Sequence, residues 1–323
     1  MYFEDCFFEK EIRCGFEVPS LMKRAWAAEM EILSVVSEIC EKNGLRYFAD
    51  SGTLLGAVRH QGFIPWDDDI DLAMLRTDYN RLIQILPEQL PKGFVVRGIH
   101  STDKAFRSAT MYSQLIVGID QIFWNSSDYM ERFHGYPFPS LGIDIFPLDV
   151  VPKDEEEFQL QRSLYDVGFA IVSNWDKLKE EGNLEYRITQ FEEYSGVTIP
   201  KTETKYHIAC VMDKIASLYS EEESDELDCL IWQRKNPMKK EWYEREQIVS
   251  FENMTIAIPC GYDKVLETLY GDYREVIKFT SKHEYPFYKE MKTEMEAMFS
   301  EKNYDFSVEE FCDKVMSGEI RVQ

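Results

Sequence analysis

Residues 50–71 have the sequence DSGTLLGAVRHQGFIPWDDDID, in which a glycine-rich turn with an arginine and a histidine precedes a dense group of acids. Four of the five residues from Asp67 to Asp71 carry a carboxylate. Like charges at this density repel one another and destabilise a fold unless something positive joins them. A divalent metal together with an anionic phosphate substrate is the natural guest for such a segment.

The acids of this segment divide into two pairs. Acid and apolar residues alternate from residue 69, which predicts a strand over residues 69–74 with Asp69 and Asp71 on one face. Two carboxylates so placed suit one or two Mg²⁺ ions, because hard cations prefer oxygen ligands. Asp67 and Asp68 precede the strand and are expected to be turn or supporting residues. The alternative is an acid-rich surface turn without function.

The phosphate side of the site is predicted just upstream. Gly52 and Thr53 begin a predicted helix over residues 52–59, where free backbone N–H groups can hold a phosphate. The guanidinium of Arg59 matches phosphate geometry. His60 is either a phosphate or donor contact or a helix-end cap.

A third acid is expected from a later strand. Asp144 stands alone inside an apolar segment, residues 142–147, and an acid there is costly to bury without a partner. The alternative is an edge strand with Asp144 facing water. Asp149 follows a proline and is expected to be a turn or cap residue.

Bulk properties exclude several classes of protein. The chain has 323 residues, 44% of them hydrophobic, enough for one large domain or a domain with a helical extension. A net charge of −23 argues against nonspecific binding to nucleic acid or to an anionic membrane, but not against a nucleotide ligand. The sequence contains no run of about 18 apolar residues, so no transmembrane segment is predicted. The acidic first residues do not resemble a signal peptide, and seven scattered cysteines favour reduced thiols, so a cytoplasmic protein is predicted.

The pattern of predicted elements indicates an α+β protein. A helix is expected over residues 20–43, with Ser20 as its N-cap and Gly44 just after its end. Short strands and helices follow up to residue 152. Residues 153–323 are predicted to be mainly helical, including residues 154–181, 204–219 and 224–235, with a hairpin near 248–258. We therefore predict a catalytic core with its N-terminal helix over 1–152 and a helical lobe over 153–323, packed as one compact unit.

Aromatic residues are concentrated between residues 124 and 136. Trp124, Tyr129, Phe133 and Tyr136 could form a cage for a quaternary ammonium group. Because aromatic content is 14% throughout the chain, core or interface packing is favoured.

These motifs together resemble a known family. The order of glycine-rich helix start, acidic strand and later acid resembles nucleotidyltransferases of the DNA polymerase β type. Residues 52–60 and 62–71, with IDIFPLD at 143–149 and LYGDY at 269–273, resemble the LicD family and its fukutin-related branch more closely. The resemblance spans roughly residues 20–275.

The resemblance implies a fold and an activity. The fold would be nucleotidyltransferase-like, with a small mixed sheet, flanking helices and a mostly helical C-terminal region. The activity would be transfer of phosphocholine, or a similar phospho-alcohol, from a CDP-choline-like donor to a glycan or lipid-linked sugar acceptor, in the modification of surface polysaccharide or teichoic acid. Mg²⁺ or Mn²⁺ would be required.

The resemblance also implies roles for the residues described above. Asp69, Asp71 and Asp144 would be the catalytic and metal-binding acids. Gly52, Thr53, Arg59 and His60 would bind the donor, and Asp67 and Asp68 would support the site.

Three alternatives remain open. A nucleotidyltransferase would use the same metals but transfer a nucleoside monophosphate. A related enzyme would move ribitol phosphate or glycerol phosphate. A noncatalytic module would bind metal or glycan without turnover. The chain also departs from the family pattern after residue 273, where residues 274–279 replace a proline-containing segment and His283 precedes a further 40 residues.

Overall fold

The fold is described from a computed structural model, which covers residues 1–107, 112–120, 126–139, 141–232, 237–278 and 285–321. The helices within these ranges are α1 (Ser20–Asn43), α2 (Ser51–His60), α3 (Arg76–Gln89), α4 (Ser127–Arg132), α5 (Glu155–Ser173), α6 (Trp175–Glu180), α7 (Leu184–Ser195), α8 (Thr204–Ala216), α9 (Tyr262–Tyr270), α10 (Lys289–Glu301) and α11 (Val308–Met316). The strands are β1 (Glu11–Arg13), β2 (Phe16–Val18), β3 (Phe48–Ala49), β4 (Asp71–Leu75), β5 (Phe94–Arg97), β6 (Leu115–Ile119), β7 (Gly142–Val151), β8 (Glu226–Asp228), β9 (Met238–Lys239), β10 (Glu246–Phe251) and β11 (Met254–Pro259). The predicted α+β class is confirmed.

The main sheet is mixed and has β7 at its centre. Its order within the described residues is β3-β4-β7-β6-β5, with β8 and then β9 added beside the second half of β7. Only β4 and β7 run parallel among these pairs, and the other neighbours are antiparallel. Two hairpins, β1–β2 and β10–β11, lie outside this sheet.

Helix α1 is buried along most of its length and packs within the hydrophobic core. It ends as predicted at Asn43, and Gly44 takes the left-handed conformation with φ of 62°. The indole of Trp26 stacks on Phe63 with ring centroids 4.7 Å apart. This stacking joins the N-terminal helix to the loop that precedes the acids.

Two hydrophobic clusters organise the chain. The larger contains α1, most of the main sheet and residues from β10 to α11. The smaller is built mainly from residues 151–230, including α5, α7 and α8. The division into domains at residue 152 stays a prediction. The described residues after 237 return to the larger cluster, so the segment that packs apart from it is shorter than the predicted lobe.

Several local predictions were wrong. Pro19, not Ser20, occupies the N-cap of α1. The helix predicted over residues 224–235 is instead β8 followed by a 3₁₀ turn, Leu230–Trp232, with the rest outside the described residues. The first residue of the strand predicted at 111–119 also lies outside them.

Asp149 is not a turn or cap residue. It lies within β7, fully buried, and accepts two hydrogen bonds from the guanidinium of Arg76, at 2.5 and 2.9 Å. Pro147 did not end the strand, because β7 pairs with β4 up to Leu148 and then with β8 from Asp149.

Among the described residues, the helices are too short or too polar for any of them to span a membrane.

Candidate active site

Two of the predicted acids meet across the parallel pair of strands. Asp71 is the first residue of β4 and pairs in register with Asp144 of β7. The N–H of Asp144 donates to the carbonyl of Ile70, at 2.9 Å. Neighbouring strands lie about 4.8 Å apart, and paired residues point to the same face of a sheet. Sheet topology therefore joins two acids that are far apart in the sequence.

Burial and mutual repulsion perturb these acids strongly. Burial raises the pKa of Asp71 well above its usual range, and the charges of Asp69 and Asp144 raise it further. Burial raises the pKa of Asp144 to about 7, a hydrogen bond with Gln114 lowers it, and the charge of Asp69 raises it. Asp69, which precedes β4 instead of belonging to it, therefore acts on both of the paired acids.

The three consecutive aspartates form a compact group of their own. One carboxylate oxygen from each of Asp67, Asp68 and Asp69 lies within 4.8 Å of the others. Burial raises the pKa of Asp67 well above its usual range, as do the charges of Asp69 and Asp68. The Oδ2 atom of Asp68 accepts a hydrogen bond from the N–H of Phe287, at 2.6 Å. Asp67 and Asp68 thus hold oxygens at ligand spacing with Asp69, and the supporting role predicted for them stays a prediction.

The glycine-rich turn serves this acid group directly. Gly52 is in the first turn of α2, and a Cβ atom there would collide with Oδ2 of Asp67. The hydroxyl of Thr53 accepts a hydrogen bond from the N–H of Asp71, at 2.8 Å, and the side chain is buried. Gly52 lines the cavity described below. Thr53 lies beneath it and fixes the first residue of β4.

Arg59 and His60 end α2, and Arg59 lines both the acidic cavity described below and the neighbouring cleft that contains His60. Nη1 of Arg59 donates to the carbonyls of Tyr273 and Glu275, at 3.0 and 3.1 Å, and thereby ties α2 to the segment after α9. Nε of Arg59 donates to Nε2 of His60, at 3.0 Å. Burial and the charge of Arg59 lower the pKa of His60 to about 4, so this ring is neutral at pH 7. His60 lies in a neighbouring cleft with Cys14 and is not part of the acidic cavity.

A cavity of about 480 Å³ lies over the acids. Its lining includes Gly52, Arg59, Asp67, Asp69 and Asp71 from the segment 50–71, together with Trp232, Tyr270, Asp272, Tyr273 and Glu275. Tyr270, Asp272 and Tyr273 belong to the LYGDY motif, so the structure brings that motif to the acids. Trp232 lies in a segment that the sequence predicted as helix, and no sequence signal marked it.

Sequence reasoning also missed Glu29 of α1. This side chain is only 2% exposed. Burial raises its pKa well above the usual range, and the charges of Asp69, Asp68, Asp67 and Asp144 raise it further. A signal was present, because Glu29 occupies the same helical stripe as Trp26, Ile32 and Leu33, where an apolar residue is expected.

The aromatic cluster near residue 130 is part of the core. Tyr129, Phe133 and Tyr136 are each at most 3% exposed. Trp124 lies outside the described residues. The prediction that packing outweighs a ligand cage is confirmed for the three described side chains.

Comparisons with known proteins identify relatives of this chain. The model of the family described as LicD/FKTN/FKRP, nucleotidyltransferase domain, matches residues 44–162. The lipopolysaccharide cholinephosphotransferase LicD of Haemophilus influenzae is 24% identical over 256 residues, which are 76% of this chain and 89% of that protein. The human ribitol 5-phosphate transferase FKRP is 40% identical over 55 residues, 17% of this chain and 11% of that protein. An uncharacterised protein of Rickettsia prowazekii, RP689, is 46% identical over 66 residues, 20% of this chain and 25% of that protein.

Proposed function

The chain belongs to the LicD family, and from this premise we propose that it is a phosphotransferase acting on a glycan. The substrate that we propose is phosphocholine or a similar phospho-alcohol carried on a CDP-linked donor. The acceptor is a sugar hydroxyl of a cell-surface glycan or a teichoic acid precursor. The juxtaposition of Asp144 with Asp71, which lines the acidic cavity, is the observation that carries this proposal.

The acids fit a hard divalent cation, Mg²⁺ or Mn²⁺. Such ions take carboxylate oxygens as ligands, and Asp67, Asp68 and Asp69 offer three within 4.8 Å of one another. The charged neighbours that act most on Asp71 are all acids, namely Asp69, Asp144, Asp50 and Asp67. A cation would relieve this repulsion. We propose Asp69 and Asp71 as its principal ligands, and Asp144 either as a ligand of a second cation or as the base that takes the proton of the acceptor hydroxyl.

The residues of the cavity would bind the donor and activate the acceptor. When bound, the cation would neutralise charge on the donor diphosphate. The N–H groups at the start of α2 would hold a phosphate. Arg59 would keep the segment of Tyr273 and Glu275 in place through its hydrogen bonds to their carbonyls. Asp144, with a pKa of about 7, has the basicity of a carboxylate that can take the proton of the acceptor hydroxyl near neutral pH. The hydroxyl oxygen then bonds to the phosphorus that bears the alcohol, the bond from that phosphorus to the bridging oxygen breaks, and CMP leaves.

The topology supports a nucleotidyltransferase-like fold of the DNA polymerase β type. In such a fold a helix that starts with glycine precedes a strand with acids, and a later neighbouring strand supplies one more. Here α2, β4 and β7 follow that order, and β4 and β7 are adjacent. We therefore propose this fold for the region around the acids.

Two aromatic side chains that line the cavity support choline as the transferred alcohol. Trp232 and Tyr270 expose 43% and 42% of their surface, and both line the cavity together with Asp272 and Glu275. Aromatic faces attract a quaternary ammonium group by cation–π interaction, worth about 0.5–2 kcal/mol. Nearby carboxylates add attraction for the same charge. A ribitol chain carries no positive charge, so it would gain no cation–π interaction. Its hydroxyl groups would form only hydrogen bonds with the carboxylates.

A donor panel tests the proposed reaction. The purified protein with Mg²⁺ is screened by thermal shift against CDP-choline, CDP-ribitol, CDP-glycerol and CTP, because a ligand of the native state raises stability by mass action. Release of CMP on addition of sugar acceptors supports phospho-alcohol transfer. Release of pyrophosphate from CTP would support a nucleotidyltransferase instead. Stabilisation without any product would support a noncatalytic binding module.

Two variants connect the outcome to the site. Asp71→Asn should abolish turnover while the protein stays folded, and near-normal activity in that variant with Mg²⁺ present would refute the assignment. Asp154→Asn is the matched control, because asparagine caps α5 as well as aspartate does. Trp232→Ala should weaken binding of CDP-choline about 2- to 30-fold and leave CDP-ribitol binding nearly unchanged.

A further inference from the structure

Glu29 is a buried acid with no role in the reaction described above. It lies on α1, outside residues 44–162 that match the family model. Three residues earlier on the same helical face, the indole Nε1 of Trp26 donates to the carbonyl of Asp67, at 3.0 Å. This face of α1 therefore packs directly on the loop of three aspartates.

The carboxylate of Glu29 is incompletely satisfied. Its Oε2 atom is buried and has no hydrogen-bond partner among the residues that the structure describes. The charges that act on it most strongly are those of Asp69, Asp68 and Asp67. A buried carboxylate oxygen costs free energy unless a donor or a cation meets it, so an unsatisfied one needs a reason.

Glu31, two residues further along α1, shows how this helix satisfies a buried acid. Its Oε1 atom accepts from Nε2 of His134, at 2.9 Å, and contacts the N-terminal amine. Those contacts lower its pKa although burial raises it. Among the described residues, the charges that act most on Glu29 are those of acids, which is the arrangement expected of a group that serves a positive ligand.

We propose that Glu29 is a positioning residue for the divalent cation of the acidic site, on the side where the loop of Asp67, Asp68 and Asp69 contributes Asp69 as a ligand. Its Oε2 atom accepts a hydrogen bond from a water molecule of the cation's hydration shell. The inference rests on the proposed function, since it requires that this loop bind a cation. Among the described side chains, the three aspartates hold oxygens close enough to share a cation, and Glu29 is not one of this group. Glu29 would therefore reach the cation through a water molecule. Mg²⁺ usually keeps several of its waters when bound to protein.

The test compares cation affinity with stability of the cation-free protein in the Glu29→Gln variant. Glutamine keeps the size of the side chain and removes its charge. Titration calorimetry with MgCl₂ or MnCl₂ alone should show affinity about 10- to 100-fold weaker than in the wild type, as for other groups that orient metal ligands. The Tm in EDTA should rise by about 2–4 °C, because one of several repelling carboxyl groups is gone. An unchanged dissociation constant would overturn the proposal, whatever happens to the Tm.

Matched variants separate the possible failures. Glu31→Gln should lower the Tm and leave cation affinity unchanged, which is the opposite signature on the same helix. Glu29→Met removes every polar atom at similar volume and must weaken cation binding at least as much as Glu29→Gln. If Asp71→Asn abolishes cation binding and neither Glu29 variant affects it, only this inference fails. If the wild type binds neither cation, the proposed function fails with it.

Discussion

Replacing Asp144 with asparagine should stabilise the cation-free protein at pH 8 while it destroys activity. The reason lies in the surroundings of this side chain on β7. Burial raises its pKa from 3.8 to about 7, the hydrogen bond with Gln114 lowers it, and the charge of Asp69 raises it. The folded protein therefore favours the neutral carboxyl, and an amide of the same shape supplies a neutral group at every pH.

The sign and size of the effect follow from the pKa in the folded and unfolded chain. Below pH 3.8 the group is protonated in both states, so its contribution to stability is fully present. Between pH 3.8 and pH 7 the unfolded chain ionises this group while the folded protein keeps it protonated, so the contribution falls steadily and is lost once pH has risen through 7. At 1.36 kcal/mol per pH unit, the whole interval is worth about 4 kcal/mol, and about 3 kcal/mol of it falls between pH 5 and pH 8.

Urea unfolding in EDTA at pH 5 and pH 8 measures this difference. The free energy of unfolding of the wild type should fall more between these values than that of Asp144→Asn, by about 3 kcal/mol. The remaining fall in the variant reports Asp71, Asp67 and Glu29, whose pKa values are also raised. An Asp144→Asn protein that is less stable than the wild type at pH 8, or that keeps the full pH dependence, would refute the reasoning.

Asp149 provides the control on the same strand. It is more deeply buried than Asp144, at 1% exposure, but Arg76 binds both of its oxygens, at 2.5 and 2.9 Å, and also binds Asp213 at 2.9 Å. Burial lowers the pKa of Arg76, and the two carboxylates more than offset this and raise it. Asp149→Asn should therefore destabilise the protein at pH 8 by about 3 kcal/mol, the cost of breaking a buried ion pair. The two substitutions are chemically identical and should have opposite effects.

Two further predictions concern the glycine-rich turn. Gly52→Ala should change stability by less than about 1 kcal/mol, because the carboxylate of Asp67 can swing away from the new methyl group, but it should weaken Mg²⁺ binding in calorimetry about tenfold or more. Thr53→Val should cost about 1–3 kcal/mol in urea unfolding, since it leaves the buried N–H of Asp71 without its acceptor, whereas Thr53→Ser should remain close to the wild type.

The sequence predicted local features well where neighbouring residues determine them. The 3.6-residue spacing of apolar side chains and the glycine at position 44 predicted α1 and its end at Asn43. Helix α2 and the hairpin of β10 and β11 were also predicted. The charge repulsion within residues 67–71 was evident from composition alone. These features depend on contacts a few residues apart, which a linear pattern records.

Features that depend on distant parts of the chain were predicted less well. The sequence marked Asp144 as an acid that needs a partner, but only the parallel register of β4 and β7 places it beside Asp71. Asp149 was misjudged because its partner Arg76 lies on another element and leaves no trace near residue 149. Glu29 could have been noticed on the apolar stripe of α1, yet the stripe does not say which loop it faces.

Within the described residues, uncharged groups supply three contacts that hold the loop of acids. The carbonyl of Asp67 accepts from the indole of Trp26, Oδ2 of Asp68 accepts from a backbone N–H, and the N–H of Asp71 donates to a threonine hydroxyl. The nearby guanidinium of Arg59 donates to two carbonyls and a neutral imidazole. A fold selected for stability alone would direct such a cation at the acids. Neighbouring carboxylates raise the pKa values of Asp67 and Asp71, and a divalent cation bound beside them would relieve this repulsion.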